Sequence, residues 1–157
     1  MKILFKNATL IHEKSPFHNQ KKDVLVVDGI LTQIEDQIEN NEATVIAYND
    51  LHLSSGWFDP CVSFGEPGFE ERETLANGLQ TAAKSGFTHI LLNPDTHPAL
   101  DSYTDVSHLL QQAKNYTTAL HISASLSEGS QGENLAPLFE MHKAGALAFG
   151  DFNQTLK

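Results

Sequence analysis

From Gly56 onward the chain repeats one pattern: a short apolar run, a polar loop, then a stretch with helical periodicity. Trp57 to Val62 reads as a buried strand. Residues 70–84 follow, with Leu75, Leu79, Ala82 and Ala83 on one helical face, Glu70, Glu71 and Glu73 near the positive end of the dipole, and Gly86 beyond the last turn. Residues 87–92 (FTHILL) form the next strand. Residues 104–115 place Val106, Leu109, Leu110 and Ala113 at i, i+3, i+4 and i+7, and a strand over 118–122 comes next. A third helix is predicted over 133–143, with Leu135, Leu138, Phe139 and His142 on one face and Pro137 confined to its first turn. Gly145 closes it, and residues 146–149 (ALAF) give a fourth strand. Such alternation predicts a parallel sheet with right-handed crossovers and, because the loops are long and polar, part of a TIM-type (β/α) barrel. A full eight-unit barrel needs roughly 250 residues, more than the 157 present. We expect a fragment of a longer chain, against an open four-stranded α/β sheet or a barrel completed by another subunit.

Residues 1–55 read differently. Apolar runs at 3–5, 8–11, 24–27, 30–34 and 44–47 are separated by turns, and Asp28-Gly29 between two of them is a strong hairpin signal. A small antiparallel β-sheet is predicted, with residues 12–22 as a surface loop. The expected domains are therefore a β-sandwich segment over 1–55 and the first three to four β/α units over 56–157.

A formal charge of -10 repels a phosphate backbone, so no nucleic-acid partner is expected. The single cysteine, Cys61, has no partner for an internal disulfide, and no apolar run reaches the length of a membrane span. We expect a cytoplasmic chain with no membrane contact.

Four stretches carry a family resemblance: Ser55-Gly56-Trp57-Phe58-Asp59; Glu66-Pro67-Gly68-Phe69-Glu70 followed by Glu73-Thr74; Ala82-Ala83-Lys84-Ser85-Gly86-Phe87-Thr88; and Pro94-Asp95-Thr96-His97-Pro98 ending in Asp101-Ser102. Together they resemble the N-terminal part of a dihydroorotase, of the amidohydrolase superfamily, and a weaker likeness continues from Lys143 to Asp151. The resemblance implies that residues 1–55 contribute to a small β-sandwich completed by the far C-terminus of a full chain. It also implies a His-x-His zinc motif after Asp59, followed by an arginine for the substrate carboxylate. Those three positions are Cys61, Ser63 and Gly65. The asparagine that would help hold the substrate is Asp95, and of two acidic positions at the fourth strand only Asp151 remains beside Phe152. Hydrolytic zinc needs several N, S or carboxylate ligands around an activated water, so no catalytic, metal or cofactor-binding residue is assigned and no cofactor is expected.

The resemblance thus implies an inactive dihydroorotase-like protein of pyrimidine biosynthesis acting as a structural partner of aspartate carbamoyltransferase. An alternative keeps the chain an active zinc-dependent cyclic amidohydrolase, with Cys61, Asp59, Asp151 and His97 rebuilding a site around one metal. Simpler roles stand beside these. Cys61 reads as a small packing residue, His89, His121 and His142 as structural histidines, and His97 as a loop hydrogen-bonder. Glu66-Pro67-Gly68 reads as turn geometry and residues 123–132 as a mobile loop. A part-barrel exposes a sheet edge, so self-association is expected.

Overall fold

The computed structural model describes residues 1–155, and the chain divides into two compact units between Ser55 and Gly56. The first contains β1 (Lys2–Ile11), β2 (Lys21–Val27), β3 (Ile30–Glu35), β4 (Thr44–Ile46) and β5 (His52–Ser54). Asp28 and Gly29 have φ of 49° and 81°, the paired positive values of a tight hairpin turn whose twist matches that of the strands it joins. The two apolar runs at the N-terminus are one strand, broken by a register shift between Phe5 and Ala8 where Asn7 takes a φ of 51°. Lys21 and Lys22 belong to β2 rather than to the preceding loop. β3, β2 and β1 pair antiparallel as expected, but β4 and β5 pair parallel to β1 on its other side, so the sheet is mixed. The chain passes from β3 across to β1's free edge, and that crossing sets the direction of both short strands.

The core of this unit is small: Leu4, Leu25 and Ile38 are buried together, with Val27 and Ala43 against them. Asp23 is buried beside it. Its carboxylate accepts from Lys6 Nζ (2.5 Å) and from the amides of Asn7 (2.8 Å) and Ile38 (2.9 Å). Burial pushes this carboxyl up, but the Lys6 ammonium and the two amides together outweigh burial and hold it below the usual carboxylate range.

The second unit runs β6 (Trp57–Val62), α1 (Leu75–Lys84), β7 (Phe87–Leu92), α2 (Tyr103–Ala113), β8 (Ala119–Ala124), α3 (Leu138–Ala144) and β9 (Ala146–Phe149). Its four strands are parallel and adjacent in chain order. One sheet face sends Ile90, Leu92, Leu120, Ile122 and Ala124 into a continuous core with Leu75, Leu79, Val106, Leu109 and Met141 from the helices. The opposite face carries Phe58 and His89, both exposed, and His121, which is half-buried. Phe58 meets the His121 ring edge-on at 6.3 Å, and His121 stacks on His89 at 5.3 Å.

Several expected boundaries move, each for a local reason. Helix α1 starts at Leu75, capped by the Thr74 hydroxyl accepting from Asn77 N and by Glu66 Oε2 accepting from Leu75 N; Glu70, Glu71 and Glu73 precede it and do not occupy its first turn. Helix α3 starts only after Pro137, so Leu135 is outside it, and Leu135 and Phe139 are 71% and 63% exposed. His142 is exposed rather than packed. Strand β6 is an edge strand with Trp57, Phe58 and Cys61 exposed, because nothing covers its outer edge or inner face among the described residues. The loop read as mobile is anchored. Ser125 and Ser127 are buried, Ser125 N donates to Leu100 O (2.8 Å), and Gly132 N donates to Ser127 Oγ (2.7 Å).

Candidate functional site

The loops that leave the C-terminal ends of β6, β7, β8 and β9 converge, as they do in a parallel barrel whose chemistry sits at that end. Two of them are zipped together. His97 N donates to Pro67 O (2.9 Å), and Gly68 lies so close that a Cβ there would meet the His97 carbonyl oxygen at 2.0 Å. Glu70 Oε1 accepts from Gly68 N (2.9 Å), and that bond holds the Glu70 carboxyl below the usual range. Arg72, the only arginine in the chain, completes the closure. Its Nη2 donates to Asp95 Oδ2 (3.1 Å) and to Phe64 O (3.3 Å), while its guanidinium lies over the Phe69 ring at 5.2 Å. The other oxygen of Asp95 is buried with no hydrogen-bond partner.

Behind this closure lies a polar cavity of about 380 Å³, lined by Arg72, Asp95, His97, Ser130 and Asp151 among others. Of the four residues considered as a rebuilt metal site, His97 and Asp151 reach this cavity. Cys61 and Asp59 do not line it: Asp59 faces the helix side of the sheet, in a cleft with Val62, Ala82 and Ile90, and its Oδ1 accepts from Cys61 N (3.0 Å).

Asp151 is buried and committed. Oδ1 accepts from the amides of Leu126 and Ser127 (2.9 Å each), and Oδ2 accepts from Ser127 Oγ (2.6 Å). At the end of β6, Asn93 Nδ2 donates to both Cys61 Sγ (3.4 Å) and Ser63 Oγ (3.2 Å). Gly65 leaves no room for a side chain, since a Cβ would lie 2.3 Å from Phe69 O. The zinc that the resemblance implies does not fit these residues: an amide N–H aimed at the sulfur and the hydroxyl stands where a cation would have to sit, and the remaining carboxylate is spent on two backbone amides and the Ser127 hydroxyl. Among the described residues no three His, Cys, Asp or Glu side chains converge.

Arg72 and Asn93 were missed from sequence. Arg72 carried one usable signal, being the sole guanidinium and standing four residues after Gly68 in a charged run. Asn93 gave none beyond its place at a strand end before Pro94.

The fold is that of the N-terminal part of an amidohydrolase barrel with its β-sheet segment. L-hydantoinase (dihydropyrimidinase) from Arthrobacter aurescens matches 94% of this chain at a TM-score of 0.74 and 22% identity, over 32% of its own length. A crystal structure of a dihydroorotase matches 94% at a TM-score of 0.63 and 10% identity, over 41% of its length. No protein-family model matches the chain. In sequence it is similar to dihydroorotases: 33% identical over 96% of its length to that of Ruminiclostridium cellulolyticum, and 34% over 99% to that of Acetivibrio thermocellus. The chain spans about a third of the length of these curated relatives, 35% and 36%. No helix among the described residues is long and apolar enough to cross a membrane.

Proposed function

We propose that this is a dihydroorotase-like chain of pyrimidine biosynthesis that does not hydrolyse dihydroorotate and serves instead as a structural partner of aspartate carbamoyltransferase. The observation that carries the reading is the single amide of Asn93 spanning Cys61 Sγ and Ser63 Oγ, at the two positions where the resemblance calls for zinc-binding histidines. The commitment of Asp151 to Leu126 and Ser127 supports it. So does the Arg72–Asp95 pair, in which an internal carboxylate takes up the guanidinium that an anionic substrate would need. The partner rests on the resemblance alone. The alternative, an active cyclic amidohydrolase with an altered metal site, retains only His97 and Asp151 on one cavity wall.

The test is elemental mass spectrometry of the purified chain after dialysis against zinc, with dihydroorotate turnover and aspartate carbamoyltransferase binding measured on the same sample. Substoichiometric zinc, no turnover and co-migration with the transcarbamoylase are expected. Stoichiometric zinc with turnover overturns the loss of chemistry, and failure to co-migrate removes the assigned partner.

A further inference from the structure

The ion pair between Arg72 and Asp95 uses half of what the two groups can offer. A guanidinium and a carboxylate match as two parallel N–H···O bonds, each roughly 2.7–2.9 Å long. Here Nη2 alone is engaged among the described residues, and it is shared: it donates to Asp95 Oδ2 at 3.1 Å and to Phe64 O at 3.3 Å. Asp95 Oδ1 is buried without a hydrogen-bond partner, so it has given up its hydration and gained no donor in return. That oxygen is already enclosed by residues of this chain, and neither solvent nor a group arriving from outside reaches it. The donor at hand is the guanidinium bonded to its sister oxygen.

We propose that Arg72 is a two-position clamp, turning from a bridge between Phe64 O and Asp95 into a fork on both oxygens of Asp95, and that the fork tightens the junction between the loop after β6 and the loop after β7. The turn exchanges a bond within the first loop, Arg72 to Phe64 O, for a second bond between the two loops, Arg72 to Asp95 Oδ1. The contact of the guanidinium with the Phe69 ring, at 5.2 Å, depends on distance to the ring rather than on one N–H and survives the turn. The residue at 95 matters for the same reason. An asparagine, which the resemblance calls for at this position, has an amide nitrogen that repels a second N–H, whereas a carboxylate accepts both. The junction is tied elsewhere by His97 N donating to Pro67 O (2.9 Å) and by the close approach of Gly68 to the His97 carbonyl, and it borders the polar cavity that Arg72, Asp95 and His97 line. The clamp thus sets how firmly that rim of the cavity is held. It does so whether or not the chain partners the transcarbamoylase, and its failure would leave that proposal untouched.

Arg72 is the sole arginine, so every guanidinium resonance of the isotope-labelled chain belongs to it. Relaxation dispersion on those nitrogens is expected to show exchange between two states on the microsecond-to-millisecond scale in wild type and none in Asp95→Asn. A single state without exchange broadening in wild type overturns the clamp, and this measurement needs no variant to fold. Hydrogen exchange at the His97 amide, which crosses the same junction, supplies the second readout. Asp95→Asn and Arg72→Lys are each expected to accelerate it about 10-fold or more, the second because lysine keeps the charge but has no fork. Neither residue lies in a helix or strand, so far-UV circular dichroism is expected to be unchanged in both. Wild-type protection of the His97 amide in Arg72→Lys would mean that a point charge suffices, and would overturn the fork.

Discussion

The N-terminal sheet and the β/α unit each bury an aspartate and satisfy it by different chemistry. Asp23 has a cation, Lys6, along with two backbone amides. Asp151 has two backbone amides and a hydroxyl, all neutral donors. The cores differ in the same sense. The sheet buries little beyond Leu4, Leu25 and Ile38 while Ile30, Leu31, Val45 and Tyr48 stay exposed, whereas the β/α unit has one apolar core running under all three helices. A unit with little apolar area to bury depends more on each polar contact, and a charge-paired contact brings the solvent's pH into that dependence.

The comparison can be broken first at the larger core. Leu79 is fully buried in α1, and Leu79→Ala is expected to destabilise the β/α unit by about 3–5 kcal/mol. Urea unfolding followed by the fluorescence of Trp57, which packs edge-on against Phe87 at 5.7 Å, reads that unit alone. Unchanged Trp57 unfolding would mean that the core around Leu79 does not govern it. Next in size, Asp151→Ala leaves the Leu126 and Ser127 amides and the Ser127 hydroxyl without their acceptor, at a cost of about 3 kcal/mol. Hydrogen exchange at those two amides is expected to accelerate well before exchange in β7 does.

Asp23→Asn comes third, at about 2 kcal/mol for the lost charge-assisted bonds, read by amide exchange in β1 and β2. It also sharpens the contrast through pH. The folded Asp23 carboxyl titrates below its unfolded value of about 3.9, so its stabilisation is complete above pH 4 or so and is lost as pH falls through the folded value. Wild-type exchange in the N-terminal sheet should therefore rise in acid, and the Asn variant should flatten that rise; an equally steep rise in the variant would assign the acid response to other groups. Smallest is Thr74→Ala at the start of α1, about 1 kcal/mol or less, because Glu66 also accepts from the first turn. A circular-dichroism melt that did not shift would show that Glu66 alone suffices.

What could be read from sequence follows the range of the interactions involved. The Asp28-Gly29 turn rests on neighbouring residues, and the four strands of the β/α unit show in their own apolar runs, so both stand where turn chemistry and local pattern place them, while the starts of α1 and α3 do not. The third helix was misjudged because Leu135, Phe139 and His142 have helical spacing but face solvent; the buried residue is Met141. Cys61 has the size and strand position of a packing residue, yet it is exposed, because among the described residues no side chain packs over its end of β6. The candidate site was the least legible part. Arg72 meets Asp95 across 23 positions and Asn93 meets Cys61 across 32, and one sequence carries no mark of such pairings.

Gly65 sits where the backbone itself excludes a side chain. The loop closes over the place a side chain would take: Phe69 O stands 2.3 Å from where a Cβ would begin, and Phe69 N donates to Gly65 O at 2.7 Å. An arginine introduced at this position would thus meet a steric wall in the backbone before its guanidinium could reach any partner. Room for a side chain there would need the loop to open first, a step with nothing of its own to favour it.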